Sequence, residues 1–204
     1  MISFLRPDKY LGRIAILSLV LGLAGCAATV SVSTTTTPPS REPANLTFAK
    51  QRVKTYVDSG EYERDLKEVA KRAQAWLERR ANQSKGSEKL AIVFDLDETL
   101  LKNYPHIAEN DFGYVPEIWN EWVAKADAPP IEPVCEVYRT ARKLGVSVIY
   151  ITGRAENQYA ATERNVKAID CGDFAELICK PEAQKRASAA TFKAGERERL
   201  TKAG

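Results

Sequence analysis

An uninterrupted apolar run, Leu90-Ala91-Ile92-Val93-Phe94, ends abruptly in the acidic segment Asp95-Leu96-Asp97-Glu98-Thr99. Apolar residues without polar alternation read as a strand buried on both faces, the habit of parallel sheets. A polar, Gly-containing break at 82–87 sets off its start. Downstream, Val134, Val137, Tyr138, Ala141 and Leu144 recur at helical spacing, and Gly145 follows as a stop, which predicts a helix over 132–144. Residues 146–151 read as a second strand, 155–169 as a helix and 177–179 as a short third strand. Strand and helix in alternation predict an α/β fold with a parallel sheet.

Upstream, Leu46, Ala49, Val53, Tyr56 and Val57 share one helical face, and Ser59-Gly60 breaks the pattern. Tyr62, Leu66, Val69, Ala70, Ala73, Trp76 and Leu77 form a second stripe. These predict an N-terminal helical pair packed on the core. Residues 26–43 are rich in Thr, Ser and Pro, too poor in apolar surface to fold, and read as a tether. Residues 1–25 read as a signal peptide: Arg6, Lys9 and Arg13 precede an apolar run over 14–24, too short to span a bilayer. That run closes on Leu23-Ala24-Gly25-Cys26, which resembles a bacterial lipobox and marks Cys26 for lipid attachment. Export to the cell envelope is therefore expected, and Ala27 after the cysteine points to the outer membrane.

The formal net charge is +3; losing Arg6, Lys9 and Arg13 together with Asp8 removes two positive charges and leaves +1. Such a balance provides no electrostatic reason to expect a nucleic acid partner. Cys171 and Cys179 are close enough in sequence to pair, with one thiol left over, and Cys135 reads as a buried thiol on a helix. No Cys-x-x-Cys occurs and His106 is the only histidine, so a zinc site is not expected.

Sites in open parallel sheets gather beyond the carboxyl ends of the strands. Those ends carry Asp95 and Asp97 after the first strand and Thr152-Gly153-Arg154 after the second. Carboxylates two residues apart in extended chain point the same way. Asp95 can attack a phosphoryl group and form an aspartyl-phosphate. Asp97 can protonate the leaving oxygen and then deprotonate water. Thr152 offers a hydroxyl, Gly153 an accessible backbone N–H and Lys193 a positive charge for the phosphoryl oxygens. The carboxylates ask for a hard cation, Mg²⁺ first among them.

These motifs resemble the haloacid dehalogenase-like (HAD) superfamily, within it the acid phosphatase group that includes bacterial class C lipoprotein acid phosphatases and plant vegetative storage proteins. Asp-Leu-Asp-Glu-Thr-Leu at 95–100 and Ile-Thr-Gly-Arg at 151–154 match its first two motifs, and Thr191-Phe192-Lys193 resembles its third, a lysine before a helix. Tyr62-Glu63-Arg64-Asp65 and Trp119-Asn120-Glu121-Trp122-Val123 also read like the group, and the likeness covers residues 44–204. It implies a Rossmann-like core in which Asp95 is nucleophile and metal ligand. Asp97 is acid/base and binds the metal through its main-chain carbonyl, and Thr152 and Lys193 hold the phosphate. It also implies that residues 102–131 form a small cap over the site. Within that insert Tyr104, next to the first motif, is expected to touch substrate. Arg154 is expected either to touch substrate or to form a surface salt bridge. Trp119 and Trp122 are expected to pack, and His106 to lie exposed. The group's fourth motif, a strand ending in further aspartates that complete the metal site, has no counterpart before residue 204, so the last core strand is expected to be missing. A chain so truncated is expected to be weakly active alone. The expected function is a metal-dependent acid phosphatase of small phosphomonoesters, plausibly nucleotides; the alternative is a non-enzymatic storage or binding protein on a phosphatase scaffold.

Overall fold

A computed structural model describes residues 45–84 and 88–203. The expected signal peptide, the expected tether and Cys26 lie outside the described residues. The described residues belong to one compact unit, Ala44–Gly204.

Within that unit β1 (Ala91–Phe94), β2 (Ser147–Ala155) and β3 (Glu176–Lys180) form a parallel sheet in the order β1-β2-β3. The helices are α1 (Leu46–Asp58), α2 (Glu61–Ser84), α3 (Tyr104–Glu109), α4 (Pro116–Lys125), α5 (Glu132–Lys143), α6 (Tyr159–Ala168) and α7 (Ala189–Ala203). Among the described residues no helix is long and apolar enough to cross a membrane. Prolines sit in the first turns of α3, α4 and α5, where a missing N–H breaks no intrahelical bond. The expected insert is thus folded into α3 and α4.

β2 is the central strand and alternates between two cores. Val148 and Tyr150 point into the larger core with Phe94, Cys135, Tyr138 and Ala141, while Ile149 and Ile151 face Phe192 of α7. The expectation that β1 is buried on both faces is corrected. Its residues read exposed, half-buried, exposed, buried, and Val93 is 38% exposed. The cause is coverage: β1 is at one edge of the sheet, and α7 lies over β2. Apolar composition reported the strand but not how many faces the fold would cover.

The helical pair also differs from the expected stripes. No residue of α1 is buried, and Leu46 and Val53 are exposed. α1 is capped by the Asn45 side chain, which accepts from the amides of Thr47 and Phe48. α2 buries Ala70 and Leu77 against α5, while Val69 and Trp76 turn to solvent. The packing stripe is narrower than the apolar one, because the helices that meet α2, chiefly α5 and then α1, leave Val69 and Trp76 uncovered.

Cys171 and Cys179, close enough in sequence to pair, are not the two cysteines that the fold brings together. Cys179 lies on β3, whereas Cys171 Sγ stands 3.2 Å from Cys135 Sγ. Closeness in sequence was overridden by the loop after α6, which turns Cys171 toward α5.

Candidate active site

Leucines pin the loop that follows β1. Leu96, Leu100 and Leu101 are completely buried. The amides of Thr99, Leu100 and Leu101 all donate to the Leu96 carbonyl at 3.1, 2.9 and 2.9 Å. Glu98 adopts a φ of 54°, in the left-handed region, which costs a side chain about 1–2 kcal/mol. Its amide donates to the Leu101 carbonyl at 2.9 Å and its carboxylate accepts the Asn103 amide at 2.6 Å, which offsets that strain. Apolar residues thus point inward at 96, 100 and 101 and leave Asp95 and Asp97 to meet groups from other elements.

Each carboxylate has its own cation. Asp95 Oδ1 lies 2.6 Å from Lys193 Nζ and accepts the Leu96 amide at 2.8 Å. Lys193 is inside α7, not before a helix as expected; Phe192 beside it is buried on the sheet and fixes the helix in reach of Asp95. Asp97 Oδ1 accepts from Arg154 Nη2 at 2.7 Å and Nε at 3.0 Å, and from Asn103 Nδ2 at 2.9 Å. Asn103 in turn accepts the Trp122 indole N–H at 2.8 Å.

Thr152, Gly153 and Arg154 occupy an irregularity in β2. Ile151 pairs with Ile178 and Ala155 with Lys180, so four steps of β2 oppose two of β3. Such bulges re-aim side chains. Thr152 is completely buried, and its hydroxyl accepts the Arg154 amide at 3.1 Å. Arg154 does not form the surface salt bridge that was one of its two expected roles: its side chain is 1% exposed and bridges Asp97 and the Thr162 hydroxyl. Its guanidinium carbon sits 5.8 Å from the ring centre of Trp119.

A cavity of about 320 Å³ opens beside Asp97, walled by Tyr114, Trp119, Asn120, Gly153 and Arg154. A second hollow of about 300 Å³ shares Tyr114 and Trp119 and reaches Phe112 and Ile118. Tyr104 borders neither; its ring meets Phe112 edge-on at 6.4 Å. His106 is half-buried, stacked on Trp122 at 5.0 Å and 13°, which corrects its expected exposure. Trp122 packs as expected, but Trp119 walls both hollows. The sequence reading missed Asn103 and Asn120. An indole that must place its N–H was the available signal for Asn103.

Among the described residues no three His, Cys, Asp or Glu side chains gather as a metal site. What the loop after β1 offers is oxygen: the Asp95 carboxylate and the Asp97 main chain. Two protein oxygens fit a hard cation of the magnesium type, which keeps several waters and takes phosphate oxygens for the rest.

The family described as HAD superfamily, subfamily IIIB (Acid phosphatase), matches residues 26–204. The chain is similar to acid phosphatase 1 of Solanum lycopersicum, 29% identical over 117 residues, covering 55% of this chain and 45% of that protein. It is similar to vegetative storage protein 1 of Arabidopsis thaliana, 29% identical over 167 residues, covering 79% and 60%. A class C acid phosphatase from Bacillus anthracis, solved with tungstate bound, superposes with a TM-score of 0.62 at 26% identity, covering 77% of this chain and 64% of that one. The chain spans 53 to 61% of the length of other curated relatives, stem glycoproteins of Glycine max.

Proposed function

Because the chain belongs to subfamily IIIB of the HAD superfamily, the acid phosphatases, we propose that it hydrolyses small phosphomonoesters with Asp95 as nucleophile. The observation that carries this reading is the pairing of Asp95 with Lys193 at 2.6 Å, next to Asp97 at the mouth of an open cavity. A carboxylate held by one lysine at the end of a parallel strand is poised to form a bond to phosphorus while the lysine moves onto the phosphoryl oxygens.

In the first step an Asp95 oxygen bonds to phosphorus, the ester P–O bond breaks, and Asp97 gives its proton to the leaving oxygen. In the second, Asp97 takes a proton from water, the water oxygen bonds to phosphorus, and the acyl-phosphate bond breaks to restore Asp95 and release phosphate. Arg154 and Asn103 hold Asp97 in one place through both steps. In this reading the Thr152 hydroxyl and the Gly153 amide donate to the transferring group's oxygens, which is supported by their place near the carboxyl end of β2. A divalent cation, Mg²⁺ in our reading, would be held by Asp95 and the Asp97 carbonyl, and would offset the charge on the phosphoryl oxygens.

Tyr114 and Trp119 support a finer reading in which the ester carries an aryl or base ring. Aromatic walls accept such rings with little dependence on their edge groups. We also read the chain as exported and lipid-anchored at Cys26, with the outer membrane as destination. This rests on residues 6–27 alone, and the relatives named above come from plants and a Bacillus.

The test is phosphate release from a panel of alkyl, aryl and nucleoside monophosphates, with Asp95→Asn as control. Loss of about a thousandfold or more in that variant is expected. If Asp95→Asn retains full turnover, the aspartyl-phosphate route is wrong. If no ester in the panel is hydrolysed either by this chain or by a version extended at its C-terminus to include the fourth motif, the storage-protein reading takes its place.

A further inference from the structure

Cys135 and Cys171 are 36 residues apart in the chain, and their sulfurs are 3.2 Å apart. Cys135 lies in the first turn of α5, and Cys171 in the loop between α6 and β3. Both are completely buried. The loop presents Cys171 in a fixed place. Its amide donates to the Val166 carbonyl at 2.9 Å, and its carbonyl accepts the Tyr150 hydroxyl at 2.8 Å. Gly172 makes the turn possible: a methyl group there would stand 2.6 Å from Lys167 Cγ and 3.0 Å from its Cα. Disulfide sulfurs are about 2.05 Å apart, so closure takes a movement on the order of 1 Å.

We propose that Cys135 and Cys171 form a disulfide when the folding chain meets a small-molecule disulfide or a disulfide oxidoreductase, while Cys179 stays a thiol. This inference does not depend on the phosphatase reading. The Cys135 thiolate attacks one sulfur of the oxidant, breaks its S–S bond and releases one thiolate, which takes up a proton. Cys171 then gives up its proton, and its sulfur attacks Cys135 Sγ and expels the second thiol. The two cysteines lose two electrons and two protons, and the oxidant is reduced to two thiols. In the fold the S–H of Cys171 donates to Cys135 and holds the Cys135 thiol below its usual range. Burial pushes the Cys179 thiol up to about 11, so it exchanges slowly at neutral pH. The bond clips α5 to the loop beneath β2, the strand that carries Thr152.

The full chain is refolded from denaturant in reduced and oxidised glutathione, alkylated under denaturing conditions, and mapped by mass spectrometry without reduction. A peptide pair joining Cys135 to Cys171, with Cys179 alkylated, is expected. Alkylation of both Cys135 and Cys171, or a link from either of them to Cys179, overturns the proposal. In a Cys179→Ser variant the same link must persist. The oxidised chain is expected to melt about 10 °C above the reduced chain, as a loop of this length implies. In Cys135→Ser the oxidant should leave the melting temperature unchanged. Equal melting of the oxidised and reduced unaltered chain overturns the stabilising role, and the peptide map stands even where a variant does not fold.

Discussion

Asn103 has both ends of its amide engaged: Nδ2 donates to Asp97, and Oδ1 accepts the indole N–H of Trp122. It is 1% exposed. Asn103→Ala therefore strands a half-buried indole N–H and releases one side of Asp97. A loss of about 1–3 kcal/mol is expected in urea unfolding. Because Asp97 is also held by Arg154, kcat should fall more than KM rises. A rise in KM at constant kcat would show that Asn103 serves substrate binding instead. Arg154→Met removes the positive partner of Asp97 and should cost about 3 kcal/mol, the low end for a broken buried pair, since the Asp97 side chain keeps 27% of its exposure. Equilibrium unfolding checks this; a cost under 1 kcal/mol would place the pair among exposed surface bridges. The residue types at 95, 97, 152 and 154 were legible from the sequence because they end apolar strands. That Arg154 serves Asp97 was not, because 57 residues separate them and only parallel pairing of β1 with β2 brings them together.

α7 is held to the sheet chiefly by its one buried residue, Phe192, set against Ile149 and Ile151, with half-buried Leu200 packed on the same cluster and Arg199 paired to Glu176 of β3. Phe192→Ala is expected to cost about 3–5 kcal/mol and to free the helix that presents Lys193. Hydrogen exchange should show amides of α7 losing protection before those of β2; uniform loss would mean that Leu200 and the Arg199–Glu176 pair keep the helix on the sheet without Phe192. The strands respond unequally. Val93→Lys on exposed β1 should change stability by no more than about 0.5 kcal/mol, whereas Val148→Lys, completely buried on β2, should prevent folding. Thermal melts separate the two, and a Val93→Lys chain that fails to fold would show that β1 is covered after all. Periodicity located the elements α2, α5, β1, β2 and β3 but misjudged β1 and the stripe on α2. Hydrophobicity measures what a residue prefers, while burial depends on which neighbour arrives.

At the scale of the whole molecule, the site draws one cation from α7, one from β2, and aromatic walls from Tyr114 before α4 and Trp119 within it. Chelation with EDTA should stop phosphate release yet leave the circular dichroism melt almost unchanged, because two loop oxygens contribute little to folding. A chelated chain that unfolds would mean a metal holds the fold together; one that keeps full turnover would remove the cation from the mechanism. The chain by itself determined the α/β class, the strand ends that bear the chemistry, and the acidic segment after the first strand. Local pattern suffices for these, since apolar runs and helical periodicity act over a few residues. Only the tertiary structure decided that Asp97 belongs to Arg154 and Asn103, that Cys171 meets Cys135 instead of Cys179, and that Trp119 walls a cavity. Those outcomes depend on contacts between distant residues, which helix packing and strand register create and no short stretch of sequence contains.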